Sequence, residues 1–350
     1  MQVSIVAERV DIVIGVDTHK HTHTAALALP NGGIHQTLTM TADPGGYKAV
    51  FDAAVELGER RLWSIEGCGS WGRGLTRWLI EHGEEVNEIE RPKRPKRRMG
   101  AKNDTIDAVR AAREALILER VSQPRDTGRR DAITAALLAR HSAIHAATDS
   151  ERQLCALANT APEALAHKLR GHTTRHIVTT CARWRIDHHH DPNTASIATT
   201  MRIIARRVLA LRAEANALER TITTQVKAWR PDLLNIFGVG PIVAAMLLIV
   251  WSHPGRIHSP AAFAKLAGSA PIEASTGITD RHRLSRYGDR QLNRAITTVT
   301  LTRIQHDPRT KTYIERRRAQ GKHYRDIRRC LKNYIARELF NILETGLDES

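Results

Sequence analysis

Short apolar runs and amphipathic stretches alternate along the N-terminal part of the chain. The run Asp11–Asp17 is β-branched and apolar, which is typical of a buried strand, and the turn-forming residues 30–33 separate two later strand patterns. Helical patterns cover residues 47–57 and 74–82. The pattern predicts strands at residues 11–17, 24–29, 34–40, 61–66 and 85–90.

The predicted elements follow the order of the RNase H fold: three strands, a helix, a strand, a helix, a strand and a helix. From about Thr105 onward the pattern is almost wholly helical, with a looser region at 161–193. Apolar positions spaced along 198–229 fit an antiparallel helical hairpin or coiled coil, which would either join two domains or form an oligomer. We therefore predict an α/β RNase-H-like domain at 1–125, a helical linker or coiled coil at 126–230 and an α-helical C-terminal domain at 231–350.

The net charge of the chain is the feature of its composition that says most about its binding partners. The chain has 53 Lys and Arg against 37 Asp and Glu, a formal net charge of +16. Such a surplus favours a polyanionic partner, although a basic protein without one remains the alternative. Four widely spaced cysteines indicate neither a zinc site nor a disulfide framework. The longest apolar run, 242–251, is too short to span a bilayer, and we expect a cytoplasmic protein.

Four carboxylates fall where an RNase-H-like sheet would gather them. Asp17 ends the first strand and Glu66 the fourth, and these two strands are neighbours in that fold. Asp104 and Asp107 lie three residues apart at the start of a helix and share one face. Mg²⁺ would relieve their mutual repulsion and serve phosphoryl transfer. Taken singly, each could instead be a helix N-terminal acid or a strand-end turn residue.

Two further features fit a nucleic-acid enzyme. A basic tract precedes Asp104 and could hold neighbouring phosphates, although a solvated charge run would look the same; its residues include Arg94, Lys96, Arg97, Arg98 and Lys102. Gly238 and Gly240 precede the apolar helix 242–251, as in a helix-hairpin-helix element that holds a phosphate backbone, or as in a simple tight turn. The run His188–His190 could suggest a metal site, but no second ligand group lies at helical spacing from it. We therefore predict a polar loop there.

The chain resembles the DEDD transposases of insertion-sequence family 110 over nearly its whole length. The resemblance rests on Ile14–Lys20, Ile65–Gly67, Lys102–Ala108, Phe237–Gly240, Phe263–Pro271, Ser275–Gly277 and Leu284–Ala295. It implies a RuvC-like domain, a helical linker and a C-terminal transposase domain. It further implies a serine-dependent DNA recombinase that forms a transient phosphoserine link, is guided by a structured non-coding RNA, and works as a homo-oligomer, a dimer or a tetramer.

The serine motif departs from the family pattern at one position. Family members place serine directly before the glycine, where this chain has Thr276, and Ser275 lies one residue earlier. We favour Ser275 as the nucleophile over Thr276, with Ser285 a weaker rival, and a copy inactive in rejoining is a further alternative. Nearby cations suited to the scissile backbone are Arg281, Arg283, Arg286 and Arg290.

Three functional hypotheses follow from these residues. The first is an RNA-guided, Mg²⁺-dependent transposase-recombinase. The second is a RuvC-like endonuclease or junction resolvase in which water attacks and no covalent intermediate forms. The third is a basic RNA- or DNA-binding scaffold with decayed catalysis. The C-terminal run 316–332 is a further basic helical region for RNA or DNA under any of them.

Overall fold

A five-stranded mixed sheet forms the first part of the fold. Its strands are β1 (Ile12–Thr18), β2 (Thr22–Ala28), β3 (Ile34–Thr41), β4 (Arg61–Glu66) and β5 (Glu85–Ile89). The spatial order is β3-β2-β1-β4-β5, with β1, β2 and β3 antiparallel and β4 and β5 parallel to β1. This confirms the predicted α/β domain and the predicted adjacency of the first and fourth strands.

The computed structural model describes residues 4–89, 104–186, 191–273, 282–284 and 288–345, with the backbone alone for 272–273 and 282–284. The chain divides into two compact units, Met1–Thr127 and Gly128–Ser350. The second unit contains both the predicted linker and the predicted C-terminal domain, so the three-part division stays a prediction.

Helices cover both faces of the sheet, and every residue of β1 is buried. They are α1 (Pro44–Val55), α2 (Arg73–Glu81) and α3 (Asp104–Leu116). On one face Ile14 and Val16 pack with Leu75 of α2, and on the other Val13 packs with Ala112 of α3. Because side chains alternate across a strand, β1 supplies apolar residues to both layers.

The second unit is built mainly from helices. They are α4 (Arg129–Thr160), α5 (Glu163–Ala166), α6 (Thr174–Arg183), α7 (Pro192–Trp229), α8 (Pro241–Trp251), α9 (Pro260–Leu266), α10 (Arg290–His306), α11 (Pro308–Ala319) and α12 (Tyr324–Thr345). Two short strands, β6 (Pro271–Glu273) and β7 (His282–Leu284), form an antiparallel pair. Among the described residues, no helix is both long enough and apolar enough to cross a membrane.

The long helices α4 and α7 form the antiparallel hairpin that the apolar spacing predicts. Arg140 of α4 binds Glu219 of α7, and Glu151, farther along α4, pairs with the earlier Arg212. Helix α7 begins at Pro192, six residues before the predicted start, because the Asp191 side chain caps it by accepting from two backbone N–H groups.

The region that looked loose in sequence contains two helices, α5 and α6. Thr173 caps α6 by accepting from the backbone N–H of His176. The apolar face of α6, including Ile177 and Cys181, is buried in one cluster with Met201 of α7. Tertiary packing therefore stabilises a helix whose own sequence pattern is weak.

A larger core lies around α8, which is buried at eight of its eleven positions. Arg230, at the end of α7, is also buried. Its guanidinium donates to Asp232 and to the backbone carbonyls of Ile342 and Leu343 near the end of α12. One buried cation thus satisfies two carbonyls that the end of a helix leaves without intrahelical partners.

Candidate metal centre

Asp17 and Glu66 lie at one edge of the sheet, at the carboxyl ends of neighbouring strands. Val16 lies opposite Ile65 in the parallel pair β1–β4, and the two acids are the next residues on each strand. Both acids are buried. The structure therefore brings this predicted pair together, and the parallel register is the reason.

A buried hydrogen bond fixes the end of β4 relative to β1. The Thr18 hydroxyl donates to the backbone carbonyl of Glu66 at 2.7 Å. Gly67 then turns the chain with φ of +80°, a left-handed conformation that favours glycine, and its carbonyl accepts from the backbone N–H of Ser70. The backbone that carries Glu66 is thus held from both sides.

Helix α3 brings the other two carboxylates, Asp104 and Asp107, to the same place. The helix crosses β1 at Gly15, where an added Cβ would lie 2.2 Å from the carbonyl oxygen of Ala108 and 2.3 Å from the backbone nitrogen of Ala112. The absence of a side chain at Gly15 therefore permits this close approach. The first turn of α3, which carries both acids, is positioned by the same contact.

His19 lies between two of these carboxylates, a placement that the sequence did not reveal. Its Nε2 is 3.2 Å from Asp104 Oδ1 and 3.5 Å from Asp17 Oδ2. Asp17, His19 and Asp104 each offer a donor atom, and these atoms lie within 4.8 Å of one another. His19 follows Asp17 by two residues, which was the available signal, but its proximity to Asp104 depends on where α3 packs.

Arg110 compensates the charge of the other two acids. Its guanidinium lies 2.9 Å from Asp107 Oδ1 and 3.7 Å from Glu66 Oε2. One turn of α3 separates Arg110 from Asp107, so the pair forms within the helix. The four carboxylates therefore divide into a pair next to His19 and a pair next to Arg110.

The four carboxylates lie close enough together to affect the pKa of Asp17. Burial raises the pKa of Asp17, and the charges of Glu66, Asp104 and Asp107 raise it further, while His19 opposes the shift. An ionised Asp17 is thus disfavoured unless positive charge lies close to it. A divalent cation would supply that charge, and carboxylate oxygens are ligands that suit Mg²⁺ or Mn²⁺.

A second observation fits a cation at this place. The Nε2 atom of His19 is buried and makes no hydrogen bond of good geometry with the described residues. Its two carboxylate neighbours, at 3.2 and 3.5 Å, are not aligned for hydrogen bonds, and a metal ligand bond would satisfy this nitrogen better. The residues present therefore fit a divalent cation held by Asp17, His19 and Asp104.

The two glycines before α8 have different surroundings. Gly238 has φ of +87° and packs against Val299, so a tight turn accounts for it. Gly240 caps α8, and an added Cβ there would meet no described atom within 4 Å, so the backbone is accessible. The element before this turn is a single 3-10 turn, Pro231–Asn235, rather than a full helix of a helix-hairpin-helix element.

Of the remaining residues predicted to bind nucleic acid or to act in catalysis, the structure describes two. Arg290 is the first residue of α10 and is exposed. The backbone of Arg283 is in β7. Predictions that lie outside the described residues concern Arg94, Lys96, Arg97, Arg98, Lys102, Ser275, Thr276, Arg281, Ser285, Arg286 and the run His188–His190.

Comparison with known proteins gives two family matches. Residues 14–161 match a model of the DEDD transposases of the IS110 type, and residues 231–315 match one described as the transposase IS116/IS110/IS902 family. The first match contains all four carboxylates and His19. The second contains the two glycines before α8 and both candidate nucleophiles.

Two proteins of bacterial insertion elements are similar in sequence to part of this chain. The 43.6 kDa protein of insertion element IS110 from Streptomyces coelicolor is 32% identical over 159 residues, which are 44% of this chain and 39% of that protein. The 42 kDa protein of insertion element IS900 from Mycobacterium paratuberculosis is 29% identical over 137 residues, 38% of this chain and 34% of that protein. The matched segments span less than half of either relative. With both family matches in their expected order, the chain belongs to the IS110 family of insertion-sequence transposases.

Proposed function

We propose that this protein is a DNA transposase-recombinase that cuts and rejoins strands with the help of Mg²⁺. The observation that carries the proposal is the convergence of Asp17, Glu66, Asp104 and Asp107 at one sheet edge, with His19 between two of them. Membership of a transposase family supports the same activity.

The residues of the site have separate roles under this proposal. Asp17, His19 and Asp104 would hold the cation, and Glu66 and Asp107 would complete its surroundings. When bound, Mg²⁺ supplies positive charge that stabilises a phosphorane-like transition state and favours an ionised nucleophile. The burial of Asp17 limits water around its carboxylate, and Thr18 and Gly15 keep the acids in place.

We propose Ser275 as the nucleophile, with Thr276 as the rival one residue on. The serine oxygen would form a bond to the scissile phosphorus, the bond to the departing deoxyribose oxygen would break, and the serine proton would pass to that oxygen or to solvent. The covalent phosphoserine link keeps the energy of the phosphodiester, so rejoining needs no ATP. The match of residues 231–315 to the transposase family supports this role.

The proposed partners are DNA, a structured guide RNA and further copies of the chain. The net charge of +16 supports a polyanionic partner. We propose that the basic tract before Asp104, the backbone at Gly240 in a helix-hairpin-helix-like element, and Arg281, Arg283, Arg286 and Arg290 contact phosphates. Residues 1–125, 126–230 and 231–350 would be the RuvC-like, linker and transposase regions of a cytoplasmic enzyme.

A water-using endonuclease or junction resolvase is the second candidate. The observation that favours it is that the carboxylate cluster alone suffices for metal-assisted hydrolysis, since water can attack without a protein nucleophile. It differs from the first candidate in forming no covalent link between protein and DNA.

A cleavage assay separates the two candidates. Labelled element ends would be incubated with the full chain, Mg²⁺ and the element's non-coding RNA, next to Ser275→Ala and Thr276→Ala. We expect a protein–DNA adduct that Ser275→Ala abolishes and Thr276→Ala keeps. Loss of the adduct in Thr276→Ala alone would assign the nucleophile to that residue, and metal-dependent cleavage without any adduct would support the nuclease.

A further inference from the structure

The two C-terminal helices α11 and α12 carry a concentration of positive charge outside the carboxylate site. Between residues 309 and 337 the chain has eleven Arg and Lys and two acidic residues, Glu315 and Asp326. Within the described residues, Arg329 is the cation of this segment that forms an ion pair, with Asp326. The charge is therefore largely uncompensated and suits a polyanion.

Exposed aromatic rings accompany this charge. Tyr324 and Tyr334 occur on α12 in one stripe with Ile327 and Leu331, at the spacing i, i+3, i+7 and i+10. Ile327 and Leu331 pack against Ile314 of α11. The two tyrosines thus lie at either end of the contact between α11 and α12, and they are 38% and 58% exposed.

Arginines from α11 lie over aromatic rings at both ends of this contact. The guanidinium carbon of Arg318 is 5.1 Å from the ring centroid of Tyr324, and that of Arg316 is 5.7 Å from the ring of Tyr313. Tyr313 and Tyr334 meet edge to face, with centroids 6.2 Å apart. We call the set Arg316, Arg318, Tyr313, Tyr324 and Tyr334 the Arg–Tyr seam.

We propose that the Arg–Tyr seam binds an unpaired nucleic-acid strand. Cations follow the phosphates of such a strand, and exposed aromatic and guanidinium planes stack on its bases. A duplex offers the same phosphates, but its base faces are stacked inside the helix, so exposed rings would gain little from it. The Arg–Tyr seam is far from the four carboxylates in sequence, and its side chains are cationic and aromatic instead of acidic. The proposed binding is therefore a function additional to strand cleavage, and it requires no metal ion.

Photocrosslinking on the full chain tests the proposal directly. The probes are two short single strands of the same sequence, one RNA and one DNA, that carry 5-iodouracil, in the presence of excess duplex. The variant replaces both exposed rings, Tyr324→Leu with Tyr334→Leu, and the matched control is Tyr324→Phe with Tyr334→Phe, which keeps the stacking faces. Thermal unfolding confirms that each variant folds.

We expect crosslinks within residues 309–337 in the wild type and in the Phe control. The Leu variant should lose them and bind the strand at least about 10-fold more weakly, as expected when base stacking is removed. Capture of the RNA or the DNA probe identifies the kind of strand. Crosslinks confined to other segments, complete displacement by duplex, or equal binding by the Leu variant would overturn the proposal. Asp104→Asn should leave this binding unchanged, so failure of the catalytic proposal is distinguishable.

Discussion

The charged groups to which we assign functions have opposite signs in the two units, and they lie in different settings. In the first unit, acids are gathered at the edge of a buried sheet, and Asp17 itself is buried. In the second unit, many cations lie on exposed helix faces, and the buried cation Arg230 donates four hydrogen bonds within the fold.

This difference shows that metal binding needs precisely placed side chains, whereas binding of a nucleic-acid backbone does not. Binding a metal requires donor atoms within a few ångströms of one another, so the acids are placed by strand register, a tight glycine contact and a buried hydrogen bond. Holding a nucleic-acid backbone requires charge over a wide surface, which exposed helices provide without close packing. Substitutions should therefore have their largest effects on the first kind of feature.

The largest effect is expected at Gly15. Gly15→Ala would place a methyl group within 2.3 Å of the α3 backbone, and neither main chain can move cheaply. We expect the free energy of unfolding to fall by about 3 kcal/mol or more, measured by denaturant unfolding. Gly69→Ala is the control, because an added Cβ there meets nothing within 4 Å. A loss at Gly15 no larger than that of the control would contradict the proposed close packing.

Arg230 tests whether the second unit also depends on a buried polar contact. Arg230→Met removes the donors to Ile342 and Leu343 and should cost about 2 to 3 kcal/mol of stability. The control is Arg152→Met, since Arg152 pairs with Asp149 in an exposed setting. Thermal unfolding compares the two variants. Equal melting temperatures would show that the buried arginine does not stabilise the end of α12.

A smaller effect is expected at Thr18. Thr18→Val keeps the shape of the side chain but removes the donor to the Glu66 carbonyl, which should cost about 1 kcal/mol of stability. Because this bond positions Glu66, Mg²⁺ affinity measured by calorimetry should also fall, by up to about 10-fold. Thr22→Val on the exposed start of β2 is the control. Unchanged Mg²⁺ affinity in Thr18→Val would show that this hydrogen bond does not position Glu66 for metal binding.

The smallest effect is a pH dependence at the start of β1. Hydrogen bonds from the side chain and backbone of Arg60 lower the pKa of Asp11 to about 2. A depressed folded pKa stabilises the protein above the ordinary value of 3.8, and this contribution is lost as pH falls from there towards 2. NMR titration of the Asp11 carboxyl measures the pKa directly. Asp11→Asn should be slightly less stable at pH 7, and the difference should vanish near pH 2.

Much of the first unit could be predicted from sequence, because buried strands have distinctive patterns. The five strands begin and end within two residues of their predicted bounds, and the adjacency of Asp17 and Glu66 follows from the order of elements. The helices α5 and α6 could not be predicted in the same way. Helix α6 is buried against α4 and α7, and a local sequence pattern does not contain these contacts.

The site was partly predictable for a similar reason. Carboxylates at strand ends and at the start of α3 are visible in sequence as positions. The roles of His19 and Gly15 depend on the distance between β1 and α3, which local sequence does not encode. Arg110 could have been predicted as the helical neighbour of Asp107, but its contact with Glu66 again required the packed structure.

Titration of the full chain with Mn²⁺, followed by electron paramagnetic resonance, is the most direct test of the metal centre. Wild-type protein should bind the ion, Asp104→Asn should weaken binding by more than about 100-fold, and the exposed-site control Asp52→Asn should bind as the wild type does. A nitrogen coupling from His19 should accompany the bound ion and disappear in His19→Ala. Equal Mn²⁺ affinity in wild type and Asp104→Asn would contradict the metal centre on which the proposed function rests.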